Sequence, residues 1–409
     1  MTESSAEMLV RLMQASHTAT FEQLPGMVAE HAAAAGMYDV AIFVVDIRET
    51  VLRRLTGRGT GAGDGGEEYR VQGSLPGQAY QRVELLPEPE RDATGGPPGR
   101  RRWWVAITDG VERLGALRAD TDIGADDAST RRALRDLASM TALLLLSKRS
   151  FSDSYARLVR TEPMNVAAEI QWNLTPPPAY AGHDVTVGAV MEPAYQVGGD
   201  VFDYAVAGST LHLGVFDAMG HDTTAGITAN VAVGACRNAR RQGSSLTETS
   251  RQVEKTLIEQ FAASRYVTGI LADLDMNTGR LTWINRGHPL PVLIRGNRWT
   301  TELACPPAGP MGADLGLPVA QCTEQLEPGD RLLLYTDGVI EARDSKGRQF
   351  GRDRFVDFIR RQHSGRHTLH ETLRRLMAAV LEHHDGKLDD DATVLLTEWR
   401  GGHQQELNP

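Results

Sequence analysis

The chain has 409 residues, enough for two or three domains, and its 41% hydrophobic and 23% charged residues are ordinary for a soluble globular protein. A formal net charge of −10 argues against nucleic acid as the main partner. No apolar run reaches the ~18–20 residues that span a bilayer, and the N-terminus MTESSAEMLVRL lacks a signal-peptide pattern, so a cytoplasmic protein with no membrane segment is expected. The three cysteines, Cys236, Cys305 and Cys322, are odd in number and widely spaced. That excludes a disulfide scaffold and a C-x-x-C metal site, and it fits a reducing compartment.

In chain order, Glu3–Ala35 reads as one or two helices broken near Pro25-Gly26. Two β-type runs follow, Val40–Ile47 and Val51–Thr56, then the flexible loop GRGTGAGDGG, Gly57–Gly66. A second loop spans Pro87–Arg102. Strands at Trp103–Thr108 and Leu114–Ala119 lead into a helix. This order, with Ser74-Leu75-Pro76-Gly77-Gln78-Ala79 turning into a short helix, resembles a GAF-type sensor domain. The resemblance implies an α/β domain over residues 1–125 and a small-molecule ligand. Strand alternation puts one ring of Trp103-Trp104 in a core and the other outside or in a pocket.

Asp126–Arg160 is one long helical stretch in which Leu137, Leu144, Phe151 and Leu158 recur every seven residues. Thr141 and Lys148 interrupt the other seam. The pattern fits a parallel coiled coil in a homodimer, and equally an amphipathic helix packed on its own domain. A helix at Met164–Leu174 ends before Pro176-Pro177-Pro178. Residues 126–178 are thus expected to form a helical linker.

The stretch VGGDVFDYAVAGSTLHLGVFDAMGH, Val197–His221, carries Asp200, Asp203 and Asp217. Two β-type runs, Val201–Val206 and Leu211–Phe216, flank a Gly208-Ser209 turn, so a hairpin brings Asp200 and Asp217 together. Crowded carboxylates repel each other unless something positive lies between them, and hard divalent cations take oxygen ligands. Two more strand ends carry aspartate. LLLYTDGVIEA, Leu332–Ala342, delivers Asp337 into a turn at Gly338, and DDDATVLLT, Asp389–Thr397, places Asp390 and Asp391 at the mouth of an apolar strand. Turn chemistry alone would accept Asn, Ser or Gly there.

The ordered set V-G-G-D-x-x-D, D-x-M-G-H, T-D-G and D-D-x-T resembles the metal-dependent serine/threonine protein phosphatases of the PPM class. It looks closest to the bacterial SpoIIE-type branch, whose N-A-G-H-P turn is matched by Asn285-Arg286-Gly287-His288-Pro289. The resemblance covers about residues 160–399. It implies an αββα β-sandwich phosphatase domain over 179–400, within an overall α/β (α+β) chain that ends in a disordered tail at 401–409. It also implies a regulatory role for the Met164–Leu174 segment. Two Mn²⁺ or Mg²⁺ ions are implied, with Asp217 bridging, the Ala218 carbonyl on one ion, and Asp200, Asp337 and Asp390 completing the set. Asp203 and Asp391 are then outer carboxylates or ligands of a third metal, and Asp391 competes with Asp390 as the direct ligand. Ala218 stands where Gly is commoner, which requires a negative φ, and Asp222 stands where a second Gly is common.

Such ions offset the charge of a phosphomonoester and lower the pKa of a water. His221 is a candidate proton donor to the leaving oxygen, or it shapes the turn and caps the following helix. His288 reads as a turn residue. Arg265 and Arg286 are the arginines weighed as phosphate clamps. The implied substrate is a phosphorylated anti-sigma-factor antagonist in a partner-switching pathway, with the front domain as regulator. A catalytically weak phosphatase-fold binding module is the alternative. A diguanylate cyclase is disfavoured, because Gly198-Gly199-Asp200 lacks the Glu-Phe that should follow and Asp337 and Asp390 would have no role. No cysteine is followed by Arg in C-x5-R spacing, and no G-x-x-x-x-G-K-[S/T] loop occurs.

Overall fold

Strand alternation and helical periodicity sort the apolar residues into two units, Met1–Pro163 and Met164–Pro409. The computed structural model describes residues 5–88, 99–122, 126–196, 198–220, 222–296, 299–362, 368–384, 388 and 390–401. The expected tail beyond residue 401 and residues 89–98 of the second loop lie outside these.

The first unit runs α1 (Ser5–Ser16), a 3-10 turn (Phe21–Gln23), α2 (Leu24–Ala34), β1 (Tyr38–Val45), β2 (Val51–Leu55) and β3 (Glu68–Arg70). It continues with α3 (Leu75–Arg82), β4 (Leu85–Pro87), β5 (Arg100–Asp109), β6 (Glu112–Asp122), α4 (Ala128–Arg149) and α5 (Asp153–Val159). The strands form one sheet in the order β3-β2-β1-β6-β5-β4. Pro25-Gly26 does not break the first helical region. Pro25 sits in the first turn of α2, where its missing N–H has no intrahelical partner to lose. Ser74 caps α3 by accepting from the Gly77 N–H. Trp103 and Trp104 are both buried, on opposite faces of the sheet. Trp103 lies in the core beneath α1, α2 and α4 and donates from Nε1 to Thr121 Oγ1 at 2.9 Å. Trp104 packs against Phe43 and Tyr69, with ring centroids 5.2 and 5.3 Å away.

The long helical stretch is two helices, and neither stands apart as a linker. Leu134, Leu137, Leu144 and Leu145 of α4 and Leu158 of α5 are buried in the first unit's own core. Phe151, between the helices, is 71% exposed. A seven-residue repeat this short is also the stripe of any amphipathic helix, and here the sheet of the same unit covers it. The expected coiled-coil seam therefore has no free face at Leu137 and Leu144.

The second unit begins with α6 (Val166–Leu174), β7 (Ala179–Ala181), β8 (Val185–Glu192), β9 (Asp200–Ala207) and β10 (Thr210–Ala218). Then come α7 (Thr223–Arg241), α8 (Leu246–Phe261), β11 (Val267–Asp275), β12 (Arg280–Arg286), β13 (Val292–Arg295) and β14 (Trp299–Glu302). Last are β15 (Cys322–Gln325), β16 (Arg331–Tyr335), α9 (Asp337–Glu341), α10 (Arg352–Gln362), α11 (Leu369–His383) and β17 (Ala392–Trp399). Two sheets form, β15-β12-β11-β10-β9 and β14-β13-β16-β17-β8-β7. Residues of both sheets, such as Phe202, Val215, Ile270, Leu334 and Leu395, share one core between them. The outer face of the first sheet packs on α7 and α8, and that of the second on α10 and α11. The order of layers is helix, sheet, sheet, helix, as expected.

One expectation from cysteine spacing is overturned. Cys305 and Cys322 form a disulfide, with Cα atoms 5.9 Å apart, because the loop after β14 returns to place Cys322 at the start of β15. Cys236 is the buried free thiol. The odd count thus conceals a pair, which a spacing argument cannot see. Among the described residues no helix is long and apolar enough to cross a membrane.

The burial of α4 generates a test. Leu137→Ala should lower the stability of the first unit by about 2–5 kcal/mol in urea unfolding, with the oligomeric state unchanged by sedimentation. Loss of an oligomer without loss of stability would place Leu137 at a contact between chains.

Candidate metal centre and active site

The hairpin of β9 and β10 pairs Asp200 directly with Asp217. By alternation both carboxylates fall on the sheet face that carries Phe202, Tyr204, Leu213 and Val215, which looks toward the second sheet. From that second sheet, the end of β16 delivers Asp337 and the start of β17 delivers Asp390 and Asp391. Asp217, Asp337 and Asp390 line one open cleft with Met219, Gly220, Tyr266 and Thr268. Asp391 is buried and acts electrostatically on both Asp200 and Asp217.

The glycines of the motif follow from how closely these strand ends approach. A Cβ on Gly198 would collide with the Asp391 carboxylate, one on Gly199 with the Ala218 carbonyl, and one on Gly338 with the Asp391 carbonyl. Gly338 therefore lies inside α9, not in the turn expected there, because β17 passes against it. Ala218 ends β10 in extended backbone and is absent from the positive-φ residues, so its Cβ is tolerated where Gly is commoner. Asp222 has a duty of its own. It caps α7, accepting from the Ala225 N–H at 2.8 Å. That capping role was weighed for His221, which lies outside the described residues.

Hydroxyls brace the carboxylates. Thr336, from the T-D-G motif, donates to Asp200 Oδ2 at 2.5 Å, and its own oxygen accepts from the Thr393 N–H at 2.9 Å. Thr268 is the cross-strand neighbour of Asp217, and its hydroxyl lowers the Asp217 carboxyl against the larger effect of burial. The Thr268 hydroxyl also lies 3.0 Å from Nδ1 of His288. His288 is fixed by two bonds with Asn285, from its N–H to Asn285 Oδ1 at 2.8 Å and from Asn285 Nδ2 to its carbonyl at 2.9 Å. Burial pushes the His288 ring down to about 4, so it is neutral at pH 7. Gln171 of α6 donates to the main-chain carbonyl of Asp200. Thr268 and Gln171 carried no sequence signal, since only the register of β10 against β11 and the docking of α6 bring them in.

Two candidates have other work. Asp203, an odd number of positions from Asp200, faces the opposite side of β9. It meets Arg237 at 2.7 Å and Arg240 at 2.9 Å on α7. Both its oxygens are occupied and it lies away from the cleft, so it is neither an outer carboxylate of the centre nor a ligand of a third metal. Arg286 is buried and bonds Gly309 O, Ser250 Oγ and Glu254 Oε2 at 2.7, 2.9 and 2.7 Å, which leaves it no freedom to clamp a phosphate.

The electrostatics are those of an acidic cluster without a cation. Burial raises Asp200 well above the usual carboxylate range, with Asp217 and Asp391 adding to it. Burial, then Asp337, Asp390 and Asp391, push Asp217 up to about 7. Burial, then Asp390 and Glu341, raise Asp337. Among the described residues no three His, Cys, Asp or Glu side chains close into a ready-made metal cage. The donor set is nonetheless all hard oxygen, suited to Mg²⁺ or Mn²⁺ and unsuited to zinc.

Residues 207–400 match the family model described as Stage II sporulation protein E (SpoIIE). The matched stretch lies wholly within the second unit, which is thus similar to a SpoIIE-type phosphatase domain. Phosphoserine phosphatase RsbU of Bacillus subtilis is 21% identical over 234 residues, covering 57% of this chain and 69% of RsbU. Phosphoserine phosphatase RsbP of the same organism is 25% identical over 184 residues, 44% of this chain and 45% of RsbP. A solved structure of the RsbU and RsbW domains of Rv1364c from Mycobacterium tuberculosis is 25% identical with a TM-score of 0.47, covering 54% of this chain and 62% of that one. The chain thus spans about half the length of RsbP. All these matches include the phosphatase domain's length of chain or a part of it, and none tests the first unit as a GAF domain.

Two outcomes follow for this domain. Carboxyls whose folded pKa lies above the unfolded value weaken the fold as pH rises from about 4 to about 7. Melting of the metal-free protein should therefore show lower stability at pH 8 than at pH 5 from this cluster, and added Mn²⁺ should raise Tm more at pH 8 than at pH 5. An equal Mn²⁺ shift at both pH values would detach the cluster from metal binding. Asp203→Asn should cost about 3–5 kcal/mol by stranding its arginines, while Mn²⁺ affinity by calorimetry stays at the parent's value.

Proposed function

We propose that this protein hydrolyses a phosphoserine or phosphothreonine monoester on a protein substrate, with two Mn²⁺ or Mg²⁺ ions held by its carboxylate cluster. The observation that carries the reading is the gathering of Asp200, Asp217, Asp337, Asp390 and Asp391 from four strand ends around one cleft, with Asp217 pushed up to about 7. Asp217, Asp200, Asp337, Asp390 and the Ala218 carbonyl are the ligands we assign. Bound ions would neutralise the phosphate dianion and supply an acidified water.

The chain's own residues do the positioning. Thr336 orients Asp200, and Thr268, backed by His288, orients Asp217. Opening at Met219 and Tyr266, the cleft admits a residue presented on the surface of another protein. The two orienting hydroxyls are what keep like-charged carboxylates in fixed rotamers when an ion arrives.

The names of RsbU and RsbP support a phosphoserine protein as substrate, and we assign a phosphorylated anti-sigma-factor antagonist in a partner-switching pathway. Regulation by the first unit would enter through α6. That helix touches the centre through the Gln171 bond to Asp200, and Arg237 ties its last carbonyl, Leu174 O, to Asp203.

The purified protein should hydrolyse p-nitrophenyl phosphate with Mn²⁺ or Mg²⁺ and stop with a chelator. Asp217→Asn should reduce turnover at least about 1,000-fold, on the scale of removing a transition-state electrostatic group, with the fold retained by circular dichroism. An active Asp217→Asn protein would move the centre elsewhere. Parent protein that binds a phosphoprotein yet never hydrolyses it would favour the binding-module alternative. Phosphoproteomics of a deletion strain would then name the substrate.

A further inference from the structure

Arg286 and Arg265 were equal candidates for meeting a phosphate, and their surroundings separate them. Arg286 is buried and spent on three internal partners. Arg265 is half-buried at the mouth of β11, two residues from Val267. Its Nη1 donates to Met219 O at 3.3 Å. Among the described residues it makes no ion pair with a carboxylate, although the acidic cleft is adjacent.

The geometry points to Arg265 as the residue that grips the phosphoryl group of the substrate, an inference that rests on the phosphatase reading of the same cleft. Met219 and Gly220, against which the guanidinium lies, line the cleft together with Asp217, Asp337 and Asp390. Gly220 has φ +93 and no side chain, and a Cβ there would stand 3.9 Å from Arg265 Nη1. Gly220 thus contributes no side chain beside the guanidinium. A guanidinium has five N–H donors, and one is used on Met219 O, so the others remain for phosphate oxygens. Its planar fork matches two non-bridging oxygens at once.

Charge argues the same way. A phosphate dianion approaching this cleft meets several carboxylates, and fixed positive charge at the rim lowers that barrier. The anchoring is firm, since Val267 exchanges two main-chain bonds with Met311 at 2.9 and 2.8 Å and Thr268 pairs across the strand with Asp217. Arg265 thus lies two residues before the strand that carries Thr268.

The test uses the full chain with Mn²⁺ and compares parent, Arg265→Ala and Arg265→Lys. Inorganic phosphate serves as competitive inhibitor and as direct ligand in calorimetry, and p-nitrophenyl phosphate as substrate. Arg265→Ala should weaken phosphate inhibition and lower kcat/KM by about 10- to 100-fold, the scale of losing charged hydrogen bonds. Mn²⁺ affinity should stay at the parent's value, and Arg265→Lys should fall between, keeping the charge without the fork. Unchanged phosphate affinity and unchanged kcat/KM in Arg265→Ala overturn the assignment. So does a loss of Mn²⁺ affinity with phosphate affinity intact, which would make Arg265 a prop for the Gly220 turn. If the parent itself hydrolyses nothing, the phosphatase reading fails separately, and the calorimetric comparison of phosphate binding still decides the role of Arg265.

Discussion

Repulsion among carboxylates is the constraint on which the second unit depends. Asp200, Asp217 and Asp337 all lie above their ordinary range because burial and like charges act together. A fold holds such a cluster only if its scaffold does not relax away from it. Strand ends of two packed sheets provide that rigidity. The glycines at 198, 199 and 338 let the ends close to a distance that any side chain would prevent, and the Thr336 and Thr268 hydroxyls supply the few hydrogen bonds that favour the charged forms. A divalent ion would relieve the repulsion that all of this sustains.

The parts of this arrangement legible in the sequence were those with a local signature. The Gly208-Ser209 turn between two alternating runs places Asp200 across from Asp217, and the strand pairing has that register. Helices α7, α8 and α11 carry their capping residues Asp222, Ser245 and Thr368 and their apolar stripes openly. Asp203 was misread although the information was present, since an odd spacing within a strand sends it to the other face. The α4 stripe was ambiguous in principle, because a short heptad and a core-facing helix share one pattern until a sheet is seen to cover it.

What could not be read is what depends on distant chain segments meeting. Cys305 and Cys322 pair because a loop returns. Thr268 reaches Asp217 because β11 happens to lie beside β10 in that register, and Gln171 reaches the Asp200 carbonyl because α6 docks where it does. None of the three has a sequence spacing that encodes it. The same holds for the two arginines, which motif reading left equal and whose partners alone divide a structural role from an available guanidinium.

Register also bears on the adjacent pair Asp390 and Asp391. Consecutive residues at the start of a strand point to opposite sides, so the two cannot serve one position. Asp391 is the inner one, buried against Gly198 and raising Asp200. Asp390 is exposed, lines the cleft with Asp217 and Asp337, and accepts the Asp391 N–H at 2.9 Å. That bond ties the outer carboxylate to the backbone of the inner one, so a shift of β17 moves both together. The doubled aspartate therefore sets negative charge on both sides of one strand end, one carboxylate toward the sandwich interior and one toward whatever enters the cleft.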